Sequence, residues 1–179
     1  MGWNGSGCGT RSCVIASGTR WPWWRSARPW PRERRGRSMD RPSSCKACDG
    51  RWPRRDHCIA DLGLTVAYLF EDQFFPGWTV LVLKRHATEL YDLSKEERGQ
   101  VMEEVTAVAS VLAKEFHPVK VNYGLLGNQL PHIHWHVVPR LVDDPAPRDA
   151  VWGHPHSPRS LDEPALAGLI AKLRGRLQP

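Results

Sequence analysis

Between Pro131 and Arg140 the chain reads PHIHWHVVPR, so His132, His134 and His136 alternate with Ile133, Trp135 and Val137. At the period of two that a β-strand imposes, three imidazoles share one face and three large apolar side chains share the other. Imidazole is the side chain that is neutral, nucleophilic and proton-exchanging near pH 7, and three such rings on one surface are costly unless used. Group transfer and metal ligation are the two chemistries that use them. The bland alternatives, a solvated strand or an expression tag, do not explain the interleaving with large apolar residues.

Metal ligation has its own candidates. Cys45 and Cys48 stand in a CxxC pair. A structural zinc site takes four nitrogen or sulfur ligands, and His86 in LKRHATEL with His132 would complete a Cys45, Cys48, His86, His132 set, leaving His134 and His136 for other work. By residue type alone His57 and Cys58 are equally suited ligands, and the CxxC also fits a redox dithiol or two inert thiols. The five cysteines are an odd number with no spacing of a disulfide framework.

Several elements must position these residues. LGLTVAYLF from Leu62 and WTVLVLK from Trp78 flank the Pro76–Gly77 turn signal and predict an antiparallel pair. Ser94 with Glu97 forms a capping box, and Val101, Val105, Val108, Leu112 and Phe116 recur at helical spacing, predicting a helix over 95–116 whose apolar stripe covers the sheet. His117, at its end beside Pro118, reads as a capping residue. Residues 119–126 and 132–139 predict two further strands about a Gly127–Asn128 turn, 143–160 a proline-rich loop, and 162–176 a last helix with Leu166, Leu169, Ile170 and Leu173 on one face. Trp78 and Trp135 read as core. Strands, helix, strands, helix gives an α+β architecture, helices packed on an antiparallel sheet.

The 179 residues and 41% apolar content suit one domain and a tail, and the net charge of +6 must be located before it is interpreted. Residues 1–38 hold eight arginines against Glu33 and five of the nine tryptophans, so this segment carries the positive charge and the body is close to neutral. It has no core-forming period and is expected to be a disordered tail. Its tryptophans and arginines would also suit single-stranded nucleic acid. Met39 stands where composition turns ordinary, giving a further expectation that translation starts there and the domain spans 39–179, with a C-terminal extension from about 143. No stretch approaches the roughly 18 apolar residues of a spanning helix, and no cleavable leader is recognisable, so the expectation is a soluble, cytoplasmic protein. No Walker glycine loop and no acidic metal cluster appear.

HIHWHVVPR resembles the signature of the histidine triad (HIT) family, HxHxH followed by apolar residues. Phe74-Phe75-Pro76-Gly77, the segment Leu83-Lys84-Arg85-His86 leading to Leu90 and Leu93, and Asn122 with Gly127-Asn128-Gln129 add to the likeness, which runs from about Cys45 to Trp152. It looks closest to the zinc-containing branch that includes bacterial dinucleoside polyphosphate hydrolases and phosphorylases. The resemblance implies a HIT-like fold, a homodimer and a Zn2+ held by Cys45, Cys48, His86 and His132. It also implies an enzyme that acts at the α-phosphate of nucleoside polyphosphates or phosphoramidates, such as diadenosine tetraphosphate, through a nucleotidyl-histidine. His134 would then be the nucleophile, while His136 would contact the phosphate and help move a proton at the leaving group. Asn122, Gly127, Asn128 and Gln129 would lie at phosphate and ribose. One position departs from the pattern: six residues before Pro76, where relatives often place Asn or Asp for the ribose hydroxyls, stands Phe70, and Glu71 or Asp72 would have to substitute. The segment WGHPH at 152–156 is expected to be a tail with solvated histidines, although Trp152 or His154 could approach the nucleotide. A second function, of another class, is a zinc-stabilised nucleotide- or nucleic-acid-binding module whose tail carries the function.

Overall fold

Ser94 and Glu97 start the longest helix by a reciprocal exchange. Ser94 Oγ accepts from Glu97 N at 3.1 Å, and the Glu97 carboxylate accepts from Ser94 N at 2.7 Å. The Arg85 guanidinium forks onto the same carboxylate, and with the Ser94 N–H it holds the Glu97 carboxyl down at about 2. The helix, α1 (Lys95–Phe116), ends as expected at His117, whose backbone adopts the left-handed conformation (φ 48°) and donates to Ala113 O. Val101, Val105, Val108 and Leu112 form its buried stripe.

These elements belong to a computed structural model, which describes residues 45–177; the segment 1–38, with the tail and start-site expectations, lies outside them. The stripe of α1 covers one face of a five-stranded antiparallel sheet ordered β1-β2-β3-β5-β4, with β1 Cys58–Asp61, β2 Thr65–Leu69, β3 Thr79–Leu83, β4 Lys120–Gly124 and β5 His134–Arg140. The predicted pair is β2 and β3. Strand β1, four residues with a register shift, is too short to show a period and was not foreseen. All five residues of β3 are buried, as befits a central strand covered on both faces. Ala67, Leu69, Leu81, Leu83 and Val137 face the helices. The register pairs Val66 with Val82, Tyr68 with Val80, Val80 with His136 and Val82 with His134, which places these six on the opposite face.

Two polar ties join the layers. The Glu104 carboxylate of α1 accepts from Leu64 N (2.7 Å), Thr65 N (2.8 Å) and Thr65 Oγ1 (2.6 Å), closing the β1–β2 turn onto the helix. The final helix α2 (Glu163–Leu177) is capped by Asp162, and its Arg174 donates to the carbonyls of Ile59 and Cys58. At the β2–β3 turn Gly77 has φ 82°, and a Cβ there would lie 2.6 Å from the Phe116 ring. No helix of the described residues is long and apolar enough to cross a membrane.

The expected turn at Gly127–Asn128 is instead a loop over 125–133. It enters β5 only at His134, so His132 precedes the strand rather than standing on it. The His132 ring turns instead to Leu83 O and the two cysteines, while Ile133 N bonds Ala87 O and Ile133 O accepts from Leu83 N.

Candidate functional site

His132 is the hinge of the site. Its Nε2 donates to Leu83 O at 2.7 Å, leaving Nδ1 unprotonated and turned toward Cys45, Cys48 and His86. The knuckle from Cys45 to Trp52 is a run of tight turns, with Asp49 N on Cys45 O and Arg51 N and Trp52 N on Lys46 O, which brings both sulfurs to one side. Sulfur and nitrogen stand 3.5 Å apart for Cys45 and His132, 3.6 Å for Cys48 and His132, and 3.4 Å for Cys48 and His86; the two imidazole nitrogens are 3.3 Å apart. A tetrahedral ion with bonds of about 2.3 Å to sulfur and about 2.0–2.1 Å to nitrogen has S···N edges of roughly 3.5 Å and N···N edges of roughly 3.3 Å. The donor set fits a metal ion of that size. Burial pushes both His86 and His132 below the usual histidine range, which keeps the rings neutral, as ligands must be. His57 and Cys58 stand apart from this set: His57 is buried with Nδ1 on Leu69 O, and Cys58 begins β1.

His134 and His136 remain on the sheet face, with ring centroids 5.1 Å apart. His134 Nδ1 donates to His132 O at 2.7 Å, so in the neutral ring Nε2 carries the lone pair. Burial lowers its pKa, more than the carbonyl bond raises it. His136 has the opposite arrangement: its Nδ1 accepts from Trp78 Nε1 at 3.0 Å, so Nε2 carries the proton. Burial, then the proximity of His134, pushes His136 down to about 4. Two neighbouring imidazoles thus present one bare nitrogen and one N–H.

Aromatic rings enclose the pair. Trp52 meets His134 edge-on at 5.0 Å, while Phe70 and Trp152 approach His136 at 5.8 and 5.3 Å. Phe70 packs on Trp78 at 4.7 Å, so the departure from the family pattern is an apolar wall beside His136. Asp72 has other partners and Glu71 is on solvent-exposed surface: the Asp72 carboxylate is held by His156 Nε2 (2.9 Å), Arg159 N and Phe74 N. Contrary to the expectation of solvated histidines in a tail, both WGHPH histidines are half-buried, and the His156 ring stacks on Phe74 at 4.3 Å because Asp72 holds its Nε2. Trp152 also covers Gly124 of β4, where a Cβ would lie 2.3 Å from the indole.

Asn122 lies on β4 opposite Val138, and its Oδ1 accepts from Arg140 Nη1 at 2.6 Å. Arg140 is 3% exposed and also grips Asp144 through Nε (2.5 Å) and Nη2 (2.9 Å) and the carbonyls of Ala146 and Asp149, fastening the following loop to β5. Gly127, Asn128 and Gln129 lie in the loop before His132, with the side chains of Asn128 and Gln129 exposed. A cavity of about 540 Å³ opens between the knuckle and the sheet face, lined among others by Trp52, Arg55, Val66, Tyr68, Val82 and Lys84, so that Trp52 stands between it and His134. Sequence reading missed the cavity, Trp52 and the bond of Trp78. The tryptophans gave no signal beyond apolarity, because an indole N–H reveals its purpose only through what it meets in space.

The HIT domain model matches residues 54–142. Among curated proteins, the chain is 27% identical over 99 residues to the adenosine 5'-monophosphoramidase hnt1 of Schizosaccharomyces pombe, covering 54% of this chain and 71% of that protein. It is 28% identical over 94 residues to the asymmetrical bis(5'-nucleosyl)-tetraphosphatase of the same organism, covering 50% of this chain and 52% of that protein. A crystal structure of a histidine triad protein from Bradyrhizobium japonicum superposes with a TM-score of 0.62 at 30% identity, over 67% of this chain and 89% of the other. With its histidines on the sheet face and the five-stranded α+β fold that carries them, the chain belongs to the histidine triad family.

Proposed function

We propose that this protein is a nucleotide hydrolase or transferase that acts at the α-phosphate of nucleoside polyphosphates or phosphoramidates through a nucleotidyl-His134 intermediate. The observation that carries the reading is the His134 Nδ1 bond to His132 O, which commits one ring nitrogen and leaves Nε2 to attack phosphorus. In the first half-reaction the Nε2 lone pair forms the P–N bond and the leaving group takes the electrons of the bond it loses. In the second, water or inorganic phosphate displaces the now cationic imidazole, a good leaving group. The relatives named as a monophosphoramidase and a tetraphosphatase support this class of chemistry.

The neighbouring residues suit the charge that such a reaction develops. His136 offers Nε2–H to a nonbridging oxygen, and Asn122, whose carbonyl oxygen is turned to Arg140, offers its amide N–H groups. Gly127, Asn128 and Gln129 are the loop contacts to phosphate and ribose in this reading. A nucleobase would fit the cavity of about 540 Å³, whose wall mixes Trp52, Val66, Tyr68 and Val82 with Asp49, Arg55 and Lys84. Zinc is the ion that the two-cysteine, two-histidine set suits. Held by Cys45, Cys48, His86 and His132 with no open position, it would pin the knuckle to β3 and supply structure alone. A homodimer has a fitting surface in edge strand β4, where Tyr123 is 50% exposed and Leu126 beyond it 52%.

The test is His134→Ala. Turnover of diadenosine tetraphosphate and of adenosine phosphoramidate is expected to fall by several orders of magnitude while the circular dichroism spectrum persists. Mass spectrometry of the quenched wild-type reaction should find a nucleotidyl adduct at His134. Retained activity in the variant rejects the nucleophile.

A further inference from the structure

We infer that the cavity between the knuckle and the sheet face reads guanine. Arg55 donates to the acceptor edge of the base and Asp49 accepts from its donor edge, so the protein prefers guanine nucleotides to adenine nucleotides. This rests on the reading of the cavity as the nucleobase subsite of the His134 reaction and names the base.

Gly50, in the knuckle beside Asp49, makes room for the guanidinium. Its φ of 68° is left-handed, and a Cβ there would lie 2.6 Å from Arg55 Nη2 and 3.3 Å from Cζ and Nε, so the Arg55 head rests against bare backbone. The neighbouring cations have partners of their own: Lys84 Nζ bonds Leu62 O and Asp61, and Arg51 bonds Asp49. The Arg55 guanidinium, which lines the cavity, has no hydrogen-bond or ion-pair partner among the described residues. Asp49 lines it too, and both contacts from Arg51, at 3.2 and 2.6 Å, fall on Oδ2. Oδ1 remains an acceptor without a donor among the described residues. One cavity wall thus presents a planar fork of donors and, next to it, a carboxylate oxygen.

That combination chooses its ligand. A guanidinium alone would suit a phosphate, but the carboxylate beside it disfavours an anion, and the rest of the wall is aromatic and aliphatic. A planar ligand with an acceptor edge next to a donor edge satisfies both groups. Guanine offers O6 and N7 as parallel acceptors for an arginine fork, and N1–H and the N2 amino group as donors for Asp49 Oδ1. Adenine carries an amino group where guanine has O6, so the fork keeps N7 alone and meets a second donor. Trp52 and Tyr68 supply faces on which a purine stacks. Val82, in the same wall, pairs with His134 in the register of β3 and β5. The cavity therefore lies one interstrand step of about 4.8 Å from the nucleophile, a gap that a ribose bridges between a base and its α-phosphate. Arg55 and Asp49 act on the choice of base and do not touch the reacting phosphorus.

The experiment compares kcat/KM for diguanosine and diadenosine tetraphosphate, and calorimetric binding of GMP, AMP and inorganic pyrophosphate. It uses wild-type protein, Arg55→Ala, Arg55→Lys and Asp49→Ala, each with its zinc content measured. Wild-type protein is expected to favour guanine about 10-fold or more in turnover and in binding, the order that one bidentate arginine contact discriminates. Both Arg55 variants should bring the ratio toward one through KM, because lysine keeps the charge and loses the fork. Asp49→Ala should weaken GMP more than AMP at unchanged zinc content. Equal wild-type affinity for the two bases overturns the proposal, as does a guanine preference that survives Arg55→Ala. Pyrophosphate binding that disappears in Arg55→Ala also overturns it, since the guanidinium would then be an anion site. If wild-type protein cleaves neither tetraphosphate and forms no adduct at His134, the catalytic reading fails, and the GMP and AMP titrations still decide the base without turnover.

Discussion

An imidazole becomes a ligand, a nucleophile or a donor according to which of its nitrogens has been committed elsewhere. His132, His134 and His136 sit at identical spacing, yet three different partners separate them: the Leu83 carbonyl, the His132 carbonyl and the Trp78 indole. The metal set depends on the first of these bonds and on the knuckle. Because the knuckle also carries Trp52 to His134 and into the cavity wall, the candidate metal set and the histidine face share a support. Cys48→Ser is expected to lower bound zinc from one per chain to a small fraction by elemental analysis. It should lower the melting temperature and raise KM for nucleotide more than it lowers kcat, since His134 keeps its own hydrogen bond. A metal-free preparation with full activity and stability would refute the centre.

At the scale of elements, His134 and His136 share a face because β5 is pinned in register between β3 and β4. A slip of one residue would turn His134 and His136 into the helix-facing core. On the far side of the sheet, Glu104 of α1 holds the turn that leads into β2. Glu104→Ala would strip the acceptor from Leu64 N, Thr65 N and Thr65 Oγ1 at a half-buried position. Charge-assisted bonds of this kind and the donors they leave behind cost about 1–3 kcal/mol, so equilibrium urea unfolding should show a loss of that order with the slope unchanged. No change in midpoint would show that water replaces the carboxylate without cost.

At the scale of the whole molecule, the segment after β5 returns over the site rather than trailing from it. Trp152 lies against His136, and His156 is fastened with Nδ1 on His154 O and Nε2 on Asp72. Both His156 nitrogens meet acceptors, so the bound ring is the cation. The His154 carbonyl and then Asp72 raise its pKa against a burial penalty. Burial opposes the ionised form of Asp72, but the N–H groups of Arg159 and Phe74 and the His156 ring outweigh it and lower the pKa. A raised histidine contributes stability in full below its unfolded value and loses it as pH rises through the folded one. A lowered carboxylate contributes above its unfolded value and loses it as pH falls through the folded one. The tie is therefore strongest in mildly acidic solution. The difference in melting temperature between wild-type protein and His156→Ala should be larger at about pH 6 than at about pH 9. An equal difference at both would mean that the ring contributes by stacking on Phe74 alone.

How much of this was legible beforehand depended on whether the signal was local. Ser94 and Glu97 marked the helix start because a capping box is made within four residues, and the alternation of Val80 and Val82 with Leu81 marked a strand because the pleat repeats every two. The family signature was likewise readable from residue types and spacing, whereas the metal set was not: His57 and Cys58 were equally suited by type, and only the resemblance and then the fold singled out Cys45, Cys48, His86 and His132. The start of β5 after His132, the fastening of His156 and the bond from Trp78 were not readable. Each joins residues far apart in the chain, or depends on a loop conformation that no short pattern encodes. The sequence by itself determined which side chains are capable of ligation and attack. Only the tertiary structure decided which nitrogen of each ring is free to do so, because tautomers are set by partners that folding brings within 3 Å.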